Sequence, residues 1–275
     1  MRLVATDLDG TIVRPDGTIS ARTLAEFAAC QDAGIDIVYV TGRPPRWLPE
    51  IVEQTGHTGT AICANGAIVY DLAAERVISS RAMQAAVVLD VADRVARVCP
   101  GTAFAVETLT GFGREAGYVA RYDSGVAPGR ASLSSLVTGD NVVKLLCRNE
   151  GSSGDVMLAA FREALAGVAS PTHSNARDCL VEVSALGVSK AMALAELASA
   201  RGVDRADVIA FGDMPNDVEM LAWAGCGYAM AGGHPQALAV ADAIASSCLD
   251  DGVARVLEHR LADLSATAGR PEQLP

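Results

Sequence analysis

Two carboxylates stand two residues apart near the start of the chain, where a short apolar run ends. Asp7 and Asp9 belong to the segment DLDGT, and residues 2–7 have the apolar pattern of a buried strand. Ligands of open α/β sheets bind beyond the carboxyl ends of the strands. This position therefore suits a nucleophilic aspartate beside a second aspartate that moves protons. A solvated turn is the alternative, because Asp-Gly pairs are common in turns.

A second polar segment follows an apolar run in the same way. Thr41, Gly42 and Arg43 come directly after the strand predicted at residues 35–40. A hydroxyl group and backbone N–H groups at this point can hold phosphoryl oxygens. Ordinary strand-exit chemistry would also place a threonine before a glycine, so the segment taken alone leaves both interpretations open.

A third polar segment, FGDMPND, follows the strand predicted at residues 208–211. Its Asp213, Asn216 and Asp217 offer hard oxygen ligands on a short turn, which suits Mg²⁺, an ion that takes few carboxylates together with water and substrate phosphate. Capping of the next helix is the alternative role for Asn216. Lys190, at the start of another predicted helix, can neutralise a phosphoryl group or lie on solvated surface.

The order of these sites along the chain favours the catalytic interpretation over the separate alternatives. Each site follows a buried strand or begins a helix, and each carries side chains suited to phosphoryl transfer. Four such sites in one chain are more informative than any one of them.

The surrounding elements divide the chain into parts. Residues 1–81 and 184–275 alternate between predicted strands and helices, which indicates one discontinuous α/β domain with a parallel sheet. Residues 82–183 contain consecutive strands, which indicates an inserted α+β cap domain with a mixed or antiparallel sheet. One of these strands is predicted at residues 118–122. The polar tail at residues 265–275 is predicted to be frayed.

Composition limits the classes of partner. The chain has 275 residues, a formal net charge of −11 and 4% aromatic residues. The acidic balance argues against a broad nucleic-acid contact, and the scarce aromatics argue against a base-stacking surface. No apolar stretch has the length of a membrane span or a signal peptide, so we expect no membrane contact and a cytoplasmic location. The seven scattered cysteines lack CxxC pairs and are expected to be free thiols.

These motifs together resemble the haloacid dehalogenase superfamily, and within it the Cof-type phosphatases with a C2-type cap. The first motif matches at residues 7–11, the second at 41–43, the third at Lys190 and the fourth at 212–217. In that family the cap lies between the second and third motifs. The resemblance implies a Rossmann-like core with a parallel sheet and an inserted α+β cap. The chain departs from the family at Gly232, where asparagine is frequent.

The resemblance also implies a mechanism. Asp7 would be the nucleophile that forms an aspartyl-phosphate, and Asp9 would be the general acid and base. The ligands of the Mg²⁺ cofactor would be Asp7, the backbone carbonyl of Asp9, and Asp213, with Asp217 in a supporting role. The phosphoryl group and substrate would be held by Gly10, Thr41, Gly42, Arg43, Lys190 and Asn216, of which Thr41 and Lys190 also count as catalytic.

The activity implied by the resemblance is Mg²⁺-dependent hydrolysis of phosphomonoesters of small metabolites, such as sugar phosphates. A phosphosugar mutase of the phosphomannomutase type would use the same aspartyl-phosphate and is the alternative. A non-catalytic phosphosugar-binding regulator is a third possibility, against which the intact catalytic residues argue. The expected partner is a small phosphorylated metabolite, and the sequence does not determine the substrate or the oligomeric state. Candidates in the cap for contact with the leaving group, each of which is alternatively loop or surface polarity, are Arg121, His173, Asn175 and Arg177.

Overall fold

The computed structural model describes residues 1–120, 131–137, 139, 141–175 and 178–268. Within those residues the strands are β1 (Leu3–Thr6), β2 (Asp36–Val40), β3 (Thr60–Cys63), β4 (Ile68–Asp71), β5 (Arg76–Ser80), β6 (Ala103–Thr108), β7 (Phe112–Arg114), β8 (Val142–Arg148), β9 (Ala169–Thr172), β10 (Leu180–Ala185), β11 (Val208–Gly212), β12 (Cys226–Met230) and β13 (Ala243–Ala245). The α-helices of the same ranges are α1 (Ala21–Asp32), α2 (Pro49–Thr55), α3 (Ala85–Val98), α4 (Leu133–Leu136), α5 (Gly154–Ala164), α6 (Lys190–Ala200), α7 (Val218–Trp223), α8 (Pro235–Val240) and α9 (Gly252–Ala268). Short 3₁₀ helices cover Pro45–Trp47, Ala64–Gly66, Arg205–Asp207, Pro215–Asp217 and Cys248–Asp250.

The larger sheet has eight strands in the described part of the chain, in the order β13-β12-β11-β1-β2-β3-β4-β5. The strands from β13 to β3 run parallel, and β4 and β5 pair antiparallel. Alternate side chains face opposite layers: Val4 and Ile37 pack with α1 and α9, whereas Leu3 and Val38 pack with α6, α7 and α8. Because helices cover both faces, the carboxyl ends of the parallel strands form the open edge of this core.

The smaller sheet consists, among the described residues, of five antiparallel strands in the order β7-β6-β8-β10-β9. We call this sheet, with α3 to α5, the cap. Leu145 and Val181 lie on the face that packs with α3 and α5, as do their apolar neighbours. The alternation of side chains along a strand puts Lys144 and Glu182 on the opposite face, which is turned toward the core.

The predicted fold class, an α/β core with a parallel sheet and an inserted α+β segment, is the observed one. Three details differ. The strand predicted at residues 118–122 is absent from residues 118–120, and residues 121 and 122 lie outside the described ranges. The hydrogen bond from Thr108 N to Gly111 O closes a tight turn that pairs β7 with β6 at this edge instead.

The other two differences are at element ends. Strand β10 continues to Ala185, past the boundary expected between the cap and the core. Helix α9 extends through Ala268, so the frayed tail expected from Ser265 starts inside a helix, and residues 269–275 lie outside the described part. The Ser265 hydroxyl donates to Leu261 O one turn earlier, which shows that this polar turn is helical.

The structure also describes the cysteines and the apolar character of the helices. All seven cysteines lie in the described residues and are free thiols. Within the same residues, no helix is both long and apolar enough to cross a bilayer.

Candidate active site

The open edge of the core sheet brings the first and fourth motifs together. Asp7 follows β1 and Asp213 follows β11, and these strands are parallel neighbours. The Asp7 N–H donates to Phe211 O at 3.0 Å, which continues the pairing to the start of the loop. Because parallel strands end at the same edge, the two carboxylates meet. Gly10 has a φ of +83°, and a Cβ atom there would lie 2.5 Å from Asp213 Oδ2, so the loop can cross Asp213 only with glycine.

Lys190 is buried in the centre of this site. Its Nζ donates to Asp7 Oδ1 at 2.5 Å and to Asp217 Oδ1 at 2.6 Å. Burial disfavours the ammonium form, but the carboxylates of Asp217 and Asp7 outweigh it and raise the pKa of Lys190. The Lys190 side chain is 0% exposed. The alternative that this residue lies on solvated surface is therefore wrong.

A glycine allows the helix that carries Lys190 to approach. Helix α6 begins after Ser189, whose hydroxyl accepts the N–H of Met192. Gly66 lies against this helix start with a φ of +102°, and a Cβ atom there would lie 2.1 Å from Ser189 O. Any side chain at Gly66 would push α6, and with it the lysine, away from the carboxylates.

The three carboxylates form a cluster with excess negative charge. Oxygen atoms of Asp7, Asp213 and Asp217 all lie within 4.8 Å of one another, and Lys190 is the ammonium group that touches the cluster. Burial and the neighbouring Asp217 raise the pKa of Asp7 to about 7, against the opposing effect of Lys190. Burial and the neighbouring Asp7 raise the pKa of Asp213 to about 9.

This donor set fits a divalent cation. The Oδ2 atom of Asp217 accepts the backbone N–H groups of Asp213 and Met214, both at 3.0 Å, so this carboxylate is already bonded through both oxygens. Asp213 Oδ1, in contrast, is buried without a hydrogen-bond partner among the described residues. Hard oxygen donors with uncompensated negative charge are what Mg²⁺ and similar ions bind.

The second motif lies beside the cluster. Thr41 is buried after β2, and its Oγ1 accepts the N–H of Arg43 at 3.0 Å, which leaves the hydroxyl hydrogen available to a ligand. The guanidinium of Arg43 makes two hydrogen bonds to Asp9, from Nε at 2.8 Å and from an amino nitrogen at 2.5 Å. The bond to Asp9 raises the pKa of Arg43. The sequence gives Asp9 and Arg43 separate roles, whereas in the structure they form one ion pair.

A cavity of about 700 Å³ lies over the site, between the core and the cap. Asp7 and Asp9 form part of its floor. Its walls include residues that sequence reasoning missed, which form three ion pairs, Arg46–Glu107, Lys144–Glu182 and Arg148–Asp178, and three aromatic side chains, Trp47, Phe112 and Tyr118. The charged residues that stand in strands could have been found from the sequence. A single charge in the middle of an apolar strand is rarely buried without a partner.

The cap candidates of the sequence fall in different places. Asn175 lines the cavity. His173 does not line it but is buried behind the cap sheet, where its Nε2 lies 2.8 Å from Asp155 Oδ1. Arg121 and Arg177 lie outside the described residues.

His173 belongs to a second cluster of side chains of metal-binding type. Nε2 of His234, on the core, lies 3.0 Å from the same Asp155 oxygen. The Nδ1 atom of His234 accepts the N–H of Gln236 at 3.2 Å, which places the ring proton on Nε2. A protonated nitrogen does not bind a metal, so this cluster is a hydrogen-bonded contact between cap and core rather than a metal site.

Gly232 has the backbone conformation expected for a position shared with asparagine. Its φ is +85°, a region that asparagine adopts more readily than most residues with a side chain. Among the described residues, no atom lies within 4 Å of the position of a Cβ atom there. This loop conformation therefore has room for an asparagine side chain, which glycine leaves out.

Comparison with known proteins supplies a family. A family model described as haloacid dehalogenase-like hydrolase matches residues 4–257. The chain is 28% identical over 270 residues to 5-amino-6-(5-phospho-D-ribitylamino)uracil phosphatase of Bacillus subtilis (strain 168), covering 94% of this chain and 96% of that protein. It is 29% identical over 270 residues to HMP-PP phosphatase of Enterobacter sp. (strain 638), covering 94% and 96%. A solved phosphatase of the HAD enzyme superfamily from Bacteroides thetaiotaomicron shares the fold, with a TM-score of 0.78, 23% identity and 94% of both chains covered.

Proposed function

Because this chain belongs to the haloacid dehalogenase-like hydrolase family, we propose that it hydrolyses phosphomonoesters with Mg²⁺ through an aspartyl-phosphate on Asp7. The chain is a phosphatase of small phosphorylated metabolites. The observation that carries the finer proposal is the buried lysine within three carboxylates at the floor of the cavity.

Asp7 and Asp9 divide the chemistry between them. Asp7 attacks phosphorus and forms a bond from its carboxylate oxygen, while the bond to the leaving oxygen breaks and Asp9 gives that oxygen a proton. Asp9 then takes a proton from water, which attacks the aspartyl-phosphate and releases phosphate and free Asp7. Both side chains line the cavity, and Asp9 is the more exposed, which suits a group that exchanges protons.

The residues around Asp7 hold the metal and the phosphoryl group. The proposed ligands of Mg²⁺ are the Asp7 carboxylate, the Asp9 backbone carbonyl, and Asp213, with Asp217 supporting. Bound there, Mg²⁺ would offset the negative charge of Asp7 and of the phosphoryl oxygens. Lys190 has a third N–H after its bonds to Asp7 and Asp217, and the proposal assigns it to a phosphoryl oxygen.

The phosphoryl group also needs neutral donors. The Thr41 hydroxyl and the backbone N–H groups near Gly10 and Gly42 take this role in the proposal, and Asn216 orients the phosphate or Lys190. Arg43 contributes through its ion pair with Asp9, which keeps that carboxylate at the edge of the cavity. Such fixed donors do most of the work in phosphoryl transfer, because its transition state needs positioning and charge neutralisation.

The cavity favours phosphates of sugars or related compounds. A volume of about 700 Å³ is within the range for sites that bind small metabolites. Tyr118 and Phe112 offer apolar surface, while the ion pairs offer hydrogen-bonding atoms. Two related proteins are named as phosphatases of 5-amino-6-(5-phospho-D-ribitylamino)uracil and of HMP-PP, which supports a small phosphorylated metabolite as substrate.

The test is phosphate release from a panel of metabolite monophosphates, with Mg²⁺ and with excess EDTA. We expect Mg²⁺-dependent release of inorganic phosphate from at least one sugar phosphate or related ester. Conversion of a hexose 1-phosphate to its 6-isomer without phosphate release would identify a mutase instead. Hydrolysis that persists after exhaustive chelation would contradict the metal assignment.

A further inference from the structure

Two charged side chains of the cap are buried against the core. Lys144 on β8 and Glu182 on β10 are 3% and 6% exposed, and Nζ lies 2.6 Å from Glu182 Oε1. Lys144 and Lys190 are the two lysines of a chain with 22 basic residues. The other cations of this chain are arginines, so both compact ammonium groups lie at the site.

This ion pair touches the core at two points. Lys144 Nζ donates to Gly42 O at 2.7 Å, in the loop that carries Thr41. Glu182 Oε2 accepts the side-chain amide of Asn65 at 2.9 Å. Asn65 is joined to the same loop, because its backbone N–H donates to Thr41 O at 3.0 Å. The cap pair therefore contacts both sides of the segment that the proposed function assigns to phosphate binding.

The chemistry of a carboxylate sets the direction of the next hydrogen bonds. Glu182 can only accept, so Asn65 must turn its NH₂ group toward it and its oxygen away. Asn65 Oδ1 in turn accepts Asn216 Nδ2 at 3.1 Å. The orientation of the Asn216 amide, in the turn between Asp213 and Asp217, is thus fixed by a charge on the cap.

These side chains converge over a glycine. A Cβ atom on Gly42 would lie 3.0 Å from Asn65 Oδ1, 3.7 Å from Glu182 Oε2 and 3.8 Å from Asn216 Nδ2. In this arrangement the Asn216 Oδ1 atom is buried and has no hydrogen-bond partner among the described residues. A buried polar atom of this kind is costly unless a ligand or water satisfies it, which indicates a site prepared for an occupant.

We propose that Lys144 and Glu182 are positioning residues for phosphoryl transfer. This inference rests on the proposed phosphatase function. Glu182 orients Asn216 through Asn65, while Lys144 fixes the Gly42 carbonyl of the phosphate loop. The cap therefore covers the cavity and also fixes the direction of the hydrogen bonds in the core site. If the cap lay apart from the core, the core side chains that bind the phosphoryl group would be incompletely ordered.

The first test compares two carboxylate-to-amide variants with p-nitrophenyl phosphate and Mg²⁺. Glu182→Gln removes the group that sets the amide directions, and we expect kcat to fall about 10- to 100-fold while KM changes much less. Asp155→Asn is the matched control, because it removes the charge of another carboxylate that joins cap and core, through His234, outside the phosphate loop. Its kcat is expected to stay within about twofold of wild type.

A neutral pair separates positioning from folding. Glu182→Gln alone leaves Lys144 buried without its carboxylate, which destabilises the protein. The double variant Lys144→Met/Glu182→Met has no unpaired charge, so its melting temperature is expected to return toward that of wild type. Its kcat is expected to stay low, since no acceptor remains opposite the Asn65 amide. Recovery of kcat together with stability would overturn the proposal.

The pathway through Asn65 adds a non-additive signature. Asn65→Ala should lower kcat about as far as Glu182→Gln, and the combined variant should be no slower than either one, because they act as one unit. Additive losses, or equal effects of Glu182→Gln and Asp155→Asn, would contradict the inference. Failure of wild-type protein to hydrolyse any phosphate ester would instead contradict the proposed function, so the two failures are distinct.

Discussion

The core and the cap contribute charged groups to the same cavity from different kinds of position. In the core, Asp7 and Asp213 stand just beyond strand ends, and Lys190 opens a helix. In the cap, Lys144 and Glu182 stand in the middle of strands, on the face that alternation turns away from the apolar cluster. Strand ends are local features, whereas a shared sheet face depends on the register between distant segments.

The two regions also differ in their charge balance. The carboxylates of the core exceed its single contacting ammonium group, and burial together with the neighbouring carboxylates raises the pKa values of Asp7 and Asp213. On the described cap face, in contrast, the cations are paired with carboxylates, as in Arg148 with Asp178. In the proposed function this difference assigns the cation and the phosphoryl group to the core and the leaving group to the neutralised surface of the cap. The core, together with the cap residues Lys144 and Glu182 that contact it, should control kcat, and the rest of the cap wall should control KM.

The largest expected effect is loss of the nucleophile. Asp7→Asn should lower kcat below about one-thousandth of the wild-type value, because an amide oxygen does not form the aspartyl-phosphate. The fold should persist, since Lys190 keeps its bond to Asp217. Steady-state assays and thermal melting check this, with the exposed Asp16→Asn as the control. A rate near wild type would assign the chemistry to another group.

Removal of the buried ammonium group should come next. Lys190→Met is expected to lower kcat about 100- to 1000-fold, because a preorganised charge beside the phosphoryl group is lost. It should also destabilise the metal-free protein by about 3 kcal/mol, since Asp7 and Asp217 lose their buried counter-charge. Kinetics and denaturant melts measure both quantities. An unchanged rate would return Lys190 to a purely structural role.

The excess negative charge of the core predicts a pH-dependent effect of the metal on stability. Folded Asp7 and Asp213, with pKa values of about 7 and about 9, keep protons that the unfolded chain releases near its ordinary value of 3.8. The free energy of unfolding of the metal-free protein should therefore fall as pH rises from about 4 to about 9. In the proposed function Mg²⁺ is bound by the ionised carboxylates, so its addition should remove this loss.

The measurement is the difference in melting temperature between Mg²⁺ and EDTA, taken from about pH 5 to about pH 9. We expect this difference to widen with pH in wild type and to widen less in Asp213→Asn. Burial lowers the pKa of His57 to about 4, but His57 lies outside the cluster and titrates alike in both conditions, so it cancels. A difference that stays constant with pH would show that the carboxylates do not bind the metal.

The smallest expected effect belongs to the rim between the two regions. Arg46 on the core side makes two hydrogen bonds to Glu107 on β6. Arg46→Lys keeps the charge but cannot make the paired contact, so this contact between core and cap should weaken and KM should rise about fivefold. The kcat value should not change. Michaelis–Menten analysis separates the two, and a fall in kcat without a change in KM would contradict the division between core and cap.

The core of this molecule could be predicted closely from sequence, and the cap could not. Ser20 caps helix α1, and Asn65 lies in the turn that joins β3 and β4; cap and turn residues of this kind are local signals that a sequence shows directly. The core motif residues come together because each stands at a strand end or helix start of one parallel sheet. Their spacing in sequence already contains that information.

The cap could not be predicted by the same reasoning, and the reason is physical. Glu107 faces Lys144 across β6 and β8, and this pairing needs a register that neither strand reveals alone. His173 looked suited to contact a substrate, but it is buried against the exposed Asp155 and does not line the cavity. The missed signal was compositional: one of only two lysines stands in the apolar run of β8.

The measurement that tests the central claim most directly is stopped-flow kinetics of Asp9→Asn with p-nitrophenyl phosphate and with a sugar phosphate. As general acid, Asp9 matters for the basic leaving oxygen of a sugar phosphate and little for nitrophenolate, which is stable as an anion. As general base, it matters for hydrolysis of the aspartyl-phosphate, which is the same intermediate for both substrates. The account predicts a burst of nitrophenolate of about one per active site followed by slow turnover, and a severely slowed first step with the sugar phosphate. Equal slowing of both substrates without a burst would contradict it, and would reduce the role of Asp9 to that of its backbone carbonyl.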